Sequence, residues 1–150
     1  MNILSNLYPS LKLAASQAPS TKEEIKALLE FSPIHVPPEY LQLIQEGSEL
    51  EIGVDLQGEG YWFIRIYGAA NAKEMNQAYR VQEDLRQSLA IGDNEGGHML
   101  VLVPTATPPG IYRIPMSCLS DLDDATFIAT DLTELLVNGK NLRRVFLALR

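Results

Sequence analysis

Two histidines, His35 and His98, and one thiol, Cys118, are the chain's whole stock of imidazole and sulfhydryl groups. A hydrolytic or metal site needs nucleophile, base or ligand groups in quantity and at close spacing, so no catalytic residue, metal or cofactor is assigned and the chain is not read as an enzyme. His98 follows Asp93 across a glycine-rich turn, where an acid–base pair or a metal site can be imagined. A histidine at the surface or at a strand edge is the reading taken. Cys118 has only Arg113 as a basic neighbour in sequence and reads as a buried, inert thiol. The segment Gly92-Asp93-Asn94-Glu95-Gly96-Gly97 has the glycine content of a phosphate cradle. It lacks the Lys-Ser/Thr pair of a P-loop, a strand rather than a helix is expected after it, and its acids would repel phosphate. As a calcium loop it has too few correctly spaced oxygens and no closing bidentate Glu.

What remains is recognition. Tyr61, Trp62, Phe63 and Tyr67 fall in one strand-like run, where alternate residues face opposite sides. Trp62, Ile64 and Ile66 are expected on the core face. Tyr61, Phe63 and Arg65 then form an amphipathic patch of the composition enriched at binding hot spots, unless helices pack the strand on both sides. The net charge is −7 and the pI about 4.8, a field that repels phosphate backbones and anionic membranes, so neither nucleic acid nor membrane is expected as a partner. The acids gather in three stretches: Glu46, Glu49, Glu51, Asp55 and Glu59; Asp93 and Glu95; Asp121, Asp123 and Asp124. If these share an edge they suit a basic protein; scattered, they serve solubility. The partner-binding candidates are Glu49, Glu51, Asp55, Tyr61, Phe63, Arg65, Asp93, Asn94 and Glu95.

These residues need elements to hold them. A length of 150 residues suits one hydrophobic core, and one domain over residues 1–150 is expected. Ile3, Leu4, Leu7 and Leu11 are spaced for one or two helical turns, interrupted by Pro9. Thr21 and Glu24 form a capping box ahead of Ile25, Leu28 and Leu29, which predicts a helix over Lys22 to Phe31. Pro37-Pro38 opens another with Tyr40, Leu41 and Ile44 as its buried stripe, stopped by Gly47. Leu50, Ile52 and Val54 alternate with polar residues as a strand, paired with Tyr61–Tyr67 through a glycine turn. Ala69 to about Leu89 reads as a helix, broken or not, with Met75, Tyr79 and Leu85 inward. Short strands follow at Ala90-Ile91, at His98–Val103 as a central strand, at Gly110–Pro115 and at Thr126–Ala129, with a tight positive-φ turn over Gly92–Gly97. Helices about Leu132–Val137 and Leu142–Leu149 flank Asn138-Gly139. In the last of these, Arg143, Arg144 and Arg150 suit a helix C-terminus, while Leu142, Val145, Phe146 and Leu149 would also serve self-association. The fold class is α+β: an antiparallel sheet of about four to six strands with helices at both chain ends.

Three segments of this pattern resemble the SUKH superfamily, which contains fungal cell-wall assembly and glucan-synthesis regulators and many bacterial immunity proteins. They are Val36-Pro37-Pro38-Glu39-Tyr40-Leu41-Gln42-Leu43-Ile44, then Ala90-Ile91-Gly92-Asp93-Asn94-Glu95-Gly96-Gly97-His98, and lastly Gly110-Ile111-Tyr112-Arg113 with Phe127-Ile128-Ala129-Thr130-Asp131-Leu132-Thr133-Glu134-Leu135-Leu136. The resemblance spans about residues 20–137 and leaves out the N-terminal arm and the terminal helix. Glu46-Gly47 stands where the family often has Asn-Gly. The resemblance implies a protein-binding role: an immunity protein that neutralises a cognate toxin by docking on it, or a regulatory scaffold. A small-molecule binding domain is the third reading. One cysteine, no cleavable leader and no apolar run near the roughly 20 residues of a bilayer span point to the cytoplasm. A monomer or weak homodimer is expected.

Overall fold

The computed structural model describes residues 2–119 and 122–147. In chain order the elements are β1 (Leu11–Gln17), α1 (Lys22–Phe31), α2 (Pro38–Ile44), β2 (Ser48–Asp55), β3 (Tyr61–Ile66), α3 (Ala69–Ala78), α4 (Val81–Asp84), β4 (Leu89–Asp93), β5 (His98–Val103), β6 (Gly110–Pro115), a 3₁₀ turn at Leu122–Asp124, β7 (Thr126–Ala129), α5 (Leu132–Leu136) and α6 (Leu142–Phe146). Among the described residues they build a seven-stranded sheet whose strand order is the chain order. Every neighbouring pair is antiparallel, so the α+β class holds with one strand more than the sequence range expected.

Local chemistry sets the helix ends. The Thr21 hydroxyl accepts from the Glu24 amide at 3.1 Å while the Glu24 carboxylate accepts from the Thr21 amide at 2.8 Å, and α1 begins and ends where the sequence placed it. In α2 the residues after the prolines reach far along the chain. The Glu39 carboxylate accepts from the Leu132 and Thr133 amides at 2.7 and 3.1 Å, capping α5 beside that helix's own cap, Asp131. The Tyr40 hydroxyl donates to the Tyr67 carbonyl at 2.6 Å from a fully buried position. A proline, an acid and a tyrosine in succession thus start one helix, cap another and hold the end of β3.

The core lies along the sheet centre. All of β4 and all of β5 except His98 are buried, packed on both faces, which is why Met99–Val103 reads as an unbroken apolar run rather than an alternation. The flank is different: Ile64 and Ile66 are buried while Tyr61 and Trp62 are exposed, and most of β1 is exposed.

Several expectations change. Leu11 begins an edge strand instead of ending helical turns, because Leu11 and Leu13 pair with Val54 and Ile52; Ile3 is buried while Leu4 and Leu7 pack against the core. The helix expected to about Leu89 breaks at Arg80, whose φ of 54° turns the chain, and Leu89 enters the sheet opposite Leu102. Tyr79 consequently faces solvent rather than the core, Met75 is half-buried, and Leu85 is buried. In α2, Leu43 joins the buried stripe and Leu41 is half-buried. Positive φ in the β4–β5 turn falls on Glu95 and Gly97. Gly92 is needed for another reason: a Cβ there would lie 2.2 Å from the Arg65 carbonyl oxygen, so only a bare α-carbon lets β3 and β4 approach. Asp121, Leu149 and Arg150 lie outside the described residues.

Candidate partner-binding face

The β2–β3 register sets Glu51 opposite Arg65, Gly53 opposite Phe63 and Asp55 opposite Tyr61, so these six residues share one sheet face. The opposite face carries Ile52, Ile64, Leu50 and Ile66, all buried. Trp62 sits on that inner side at the strand's start, where its ring stacks on Phe146 at 5.7 Å and its Nε1 donates to the Glu59 carbonyl at 2.9 Å. It remains 36% exposed, because the sheet ends there. Tyr61, 56% exposed, meets Phe63 edge-on at 5.4 Å. Its ring lies across Gly53: a Cβ at that glycine would come within 1.9 Å of the Tyr61 hydroxyl. The glycine therefore makes the bed on which the outermost aromatic rests.

Farther along this face Arg65 stands between two carboxylates, 3.8 Å from Glu51 and 3.9 Å from Glu95. One guanidinium cannot neutralise both. Burial, followed by the neighbouring Glu51 carboxylate, holds Glu95 above the usual carboxylate range. Glu51 and Arg65 continue into a cleft of about 590 Å³ whose other charged walls are Glu24, Glu49 and Glu74. The start of α3 borders this cleft, and its first two amides, of Gly68 and Ala69, are already used. Glu49, at φ 47°, accepts from the Gly68 amide and the Asn71 side chain, each at 2.8 Å, and Ser20 Oγ accepts from the Ala69 amide at 2.9 Å. A carboxylate thus occupies the position an external anion would take, and the cleft suits cations.

Asp93 and Asn94 are spent on the fold. Asp93, 5% exposed, accepts from the Tyr67 hydroxyl at 2.7 Å and from the Glu95 amide at 2.9 Å. Burial and then this bond to Asp93 push the Tyr67 phenol well above its ordinary range. Asn94 accepts from the Gly96 and His98 amides at 2.8 and 3.2 Å and donates to the Val145 carbonyl at 2.8 Å. Arg113 donates to the Arg144 and Leu147 carbonyls, and Arg143 grips Glu59 through both carboxylate oxygens at 2.9 Å. Three residues from separate segments, Glu59, Asn94 and Arg113, thereby fasten α6 beneath the β2–β3 hairpin. His98, paired at 3.2 Å with Asn94 rather than with Asp93, has its pKa lowered by burial and then by the Arg113 charge. Cys118 is half-exposed rather than buried and donates to Asp124 at 3.3 Å. Among the described residues no group of three or more His, Cys, Asp or Glu is arranged to hold a metal ion, and no helix is long and apolar enough to cross a membrane.

The seam between β3 and β4 is short. Only Arg65 with Asp93 and Ile66 with Gly92 are in register. Past Ile66, the Tyr67 amide donates to the Ile91 carbonyl at 2.9 Å, and α3 then takes over: Asn76 accepts from the Ala90 amide at 2.9 Å and donates to its carbonyl at 2.8 Å. In the other direction β3 runs on beside β2, and among the described residues no strand pairs with Tyr61–Ile64 on its β4 side. A hollow of about 240 Å³ lies there, lined by Tyr61, Trp62, Phe63, Asn94, Glu95 and Phe146.

Of the nine sequence candidates, Glu51, Asp55, Tyr61, Phe63, Arg65 and Glu95 gather on or beside one face, while Glu49, Asp93 and Asn94 are engaged by backbone amides and neighbouring side chains. Sequence reasoning missed Glu24 and Glu74 on the cleft and Phe146 in the hollow. The contact between Phe146 and Trp62 carries no local signal.

Residues 19–138 match the SMI1 / KNR4 family (SUKH-1), and the chain belongs to that family. No curated protein matches it.

Proposed function

We propose that this member of the SMI1 / KNR4 family is a non-catalytic protein-binding domain acting in the cytoplasm as an immunity-type protein, and that it neutralises a basic toxin by docking the β2–β3 face on it. The supporting observation is the juxtaposition of exposed Tyr61 and half-buried Phe63 with a cleft walled by four carboxylates, Glu24, Glu49, Glu51 and Glu74, against the single cation Arg65. Large aromatics supply contact area at little entropic cost, and depletion of positive charge steers a basic surface toward the face and speeds association. The cleft has the volume of a small-molecule site, but its wall is charged and polar where such sites are mostly apolar. That composition favours a protein partner.

The test is co-purification with the product of an adjacent toxin gene, together with survival on co-expression. A complex that weakens as salt rises, and that protects cells, is the expected result. Absence of both binding and protection overturns the reading.

A further inference from the structure

Peptide groups along an antiparallel strand point alternately to its two sides. The Tyr67 amide points to β4, since it donates to Ile91. Counting back by twos, Arg65, Phe63 and Tyr61 present their N–H and C=O groups to the same side. Arg65 meets Asp93 there, but at Phe63 and Tyr61 the chain of β4 has already turned away into Asn94–Gly97. An open length of strand edge therefore borders the hollow. Such an edge is a template for adding an extended segment, with main-chain bonds giving affinity and side-chain pockets giving specificity.

The walls of the hollow say which side chain would enter. Tyr61 and Phe63 line it from the outer sheet face, where Glu95 stands beside Arg65, and Trp62 lines it from the inner face, stacked on Phe146. Aromatic faces attract ammonium and guanidinium groups. Among the described residues Glu95 pairs with Arg65, which it shares with Glu51, and Arg143 of α6 is held by Glu59. The chain's net charge of −7 acts in the same direction.

We infer that the β3 edge at Tyr61–Phe63 receives a short extended segment of a partner protein by strand addition, with a lysine or arginine of that segment seated on the outer face beside Tyr61, Phe63 and Glu95. This rests on the reading of the face as a partner-binding surface and names the part of the partner it takes.

Trp62 is the chain's only tryptophan, so its fluorescence reports on the hollow directly. The probe is a blocked hexapeptide of alternating Thr and Arg, compared with its Thr-Glu counterpart and with an N-methylated Thr-Arg version. The expected result is a saturable change in Trp62 emission with the Thr-Arg peptide alone, and exchange of the Phe63 amide slowed about tenfold or more. Three outcomes overturn the inference. The Thr-Arg peptide leaves Trp62 unchanged; the N-methylated peptide binds as well, so that charge alone is at work; or the Phe63 amide is already protected in the free protein, so that its own chain or a second copy covers the edge. The double variant Tyr61→Ala with Glu95→Gln separates this from the broader reading. Undiminished toxin protection by that variant overturns the strand-addition inference and leaves the docking face intact, whereas loss of both peptide binding and protection in a folded variant supports it.

Discussion

The two ends of the β3–β4 seam meet the same problem in different ways. At the Ala90 end the strands part and an asparagine from α3 steps in as a substitute strand, accepting from one peptide group and donating to the other. Asn76 is fully buried, and Gln82 supports it by donating to its side-chain oxygen at 2.8 Å. At the Tyr61 end the strands part over aromatic rings, and no described strand or side chain takes the place of β4. A buried peptide group must be paired for the fold to be stable, and Asn76 answers that requirement. An edge at the rim faces no such demand, because water can serve it. The difference teaches that one strand can be sealed by a buried side chain at one end and left open to solvent at the other.

The sharpest way to break this contrast is to remove the substitute. Asn76→Ala strips both partners from buried Ala90 and is expected to lower unfolding free energy by about 3 kcal/mol, measured by urea denaturation. Tyr61→Ala at the open end is expected to change it by less than about 0.5 kcal/mol. Equal losses at the two positions would erase the distinction.

A smaller effect tests how the hollow keeps its shape. Asn94→Ala removes the bond to Val145 and the acceptor of the Gly96 and His98 amides. A loss of about 1–2 kcal/mol is expected, with Trp62 emission shifting toward that of a more hydrated indole as Phe146 loosens beneath it. An unchanged spectrum would mean that α6 is held without this tether.

The smallest effect is electrostatic. Glu95, facing Glu51, Arg65 and Asp93, has its pKa raised by burial and then by Glu51, so the folded state binds the proton more tightly than the unfolded chain. Its contribution therefore falls as pH rises from the ordinary carboxylate range through the raised folded value. Glu95→Gln lacks that decline, and its melting temperature relative to the native chain is expected to gain ground as pH rises from about 4 and to level off once Glu95 is ionised in the folded state. A constant difference across that range would remove the electrostatic cause.

Legibility in the sequence followed the range of the forces involved. Local devices were plain: the Thr21–Glu24 box, the proline start of α2, and the alternation along β2 and β3 all stand where periodicity put them. Sharing of one face by Tyr61, Phe63 and Arg65 followed from alternation alone. Features that depend on a distant neighbour were hidden. The β1 strand is exposed along most of its length and owes its conformation to pairing with β2. Asp93 and Glu49 read as free acids because the amides and hydroxyl they satisfy belong to other segments. The seam itself has no sequence signature, since nothing in Tyr61–Ile66 tells how soon β4 will turn away.

The order of strands carries a consequence for how the chain assembles. With each strand beside its predecessor, the sheet can grow in chain order, through short turns except where α1 and α2 join β1 to β2 and α3 and α4 join β3 to β4. The terminal helix is the exception to that order. Its bonds reach back 51 residues to Asn94 and 84 to Glu59, so they can form only after the hairpin and the turn they grip exist. The wall that shapes the aromatic hollow is thus a late arrival, completed only once the rest of the sheet is in place.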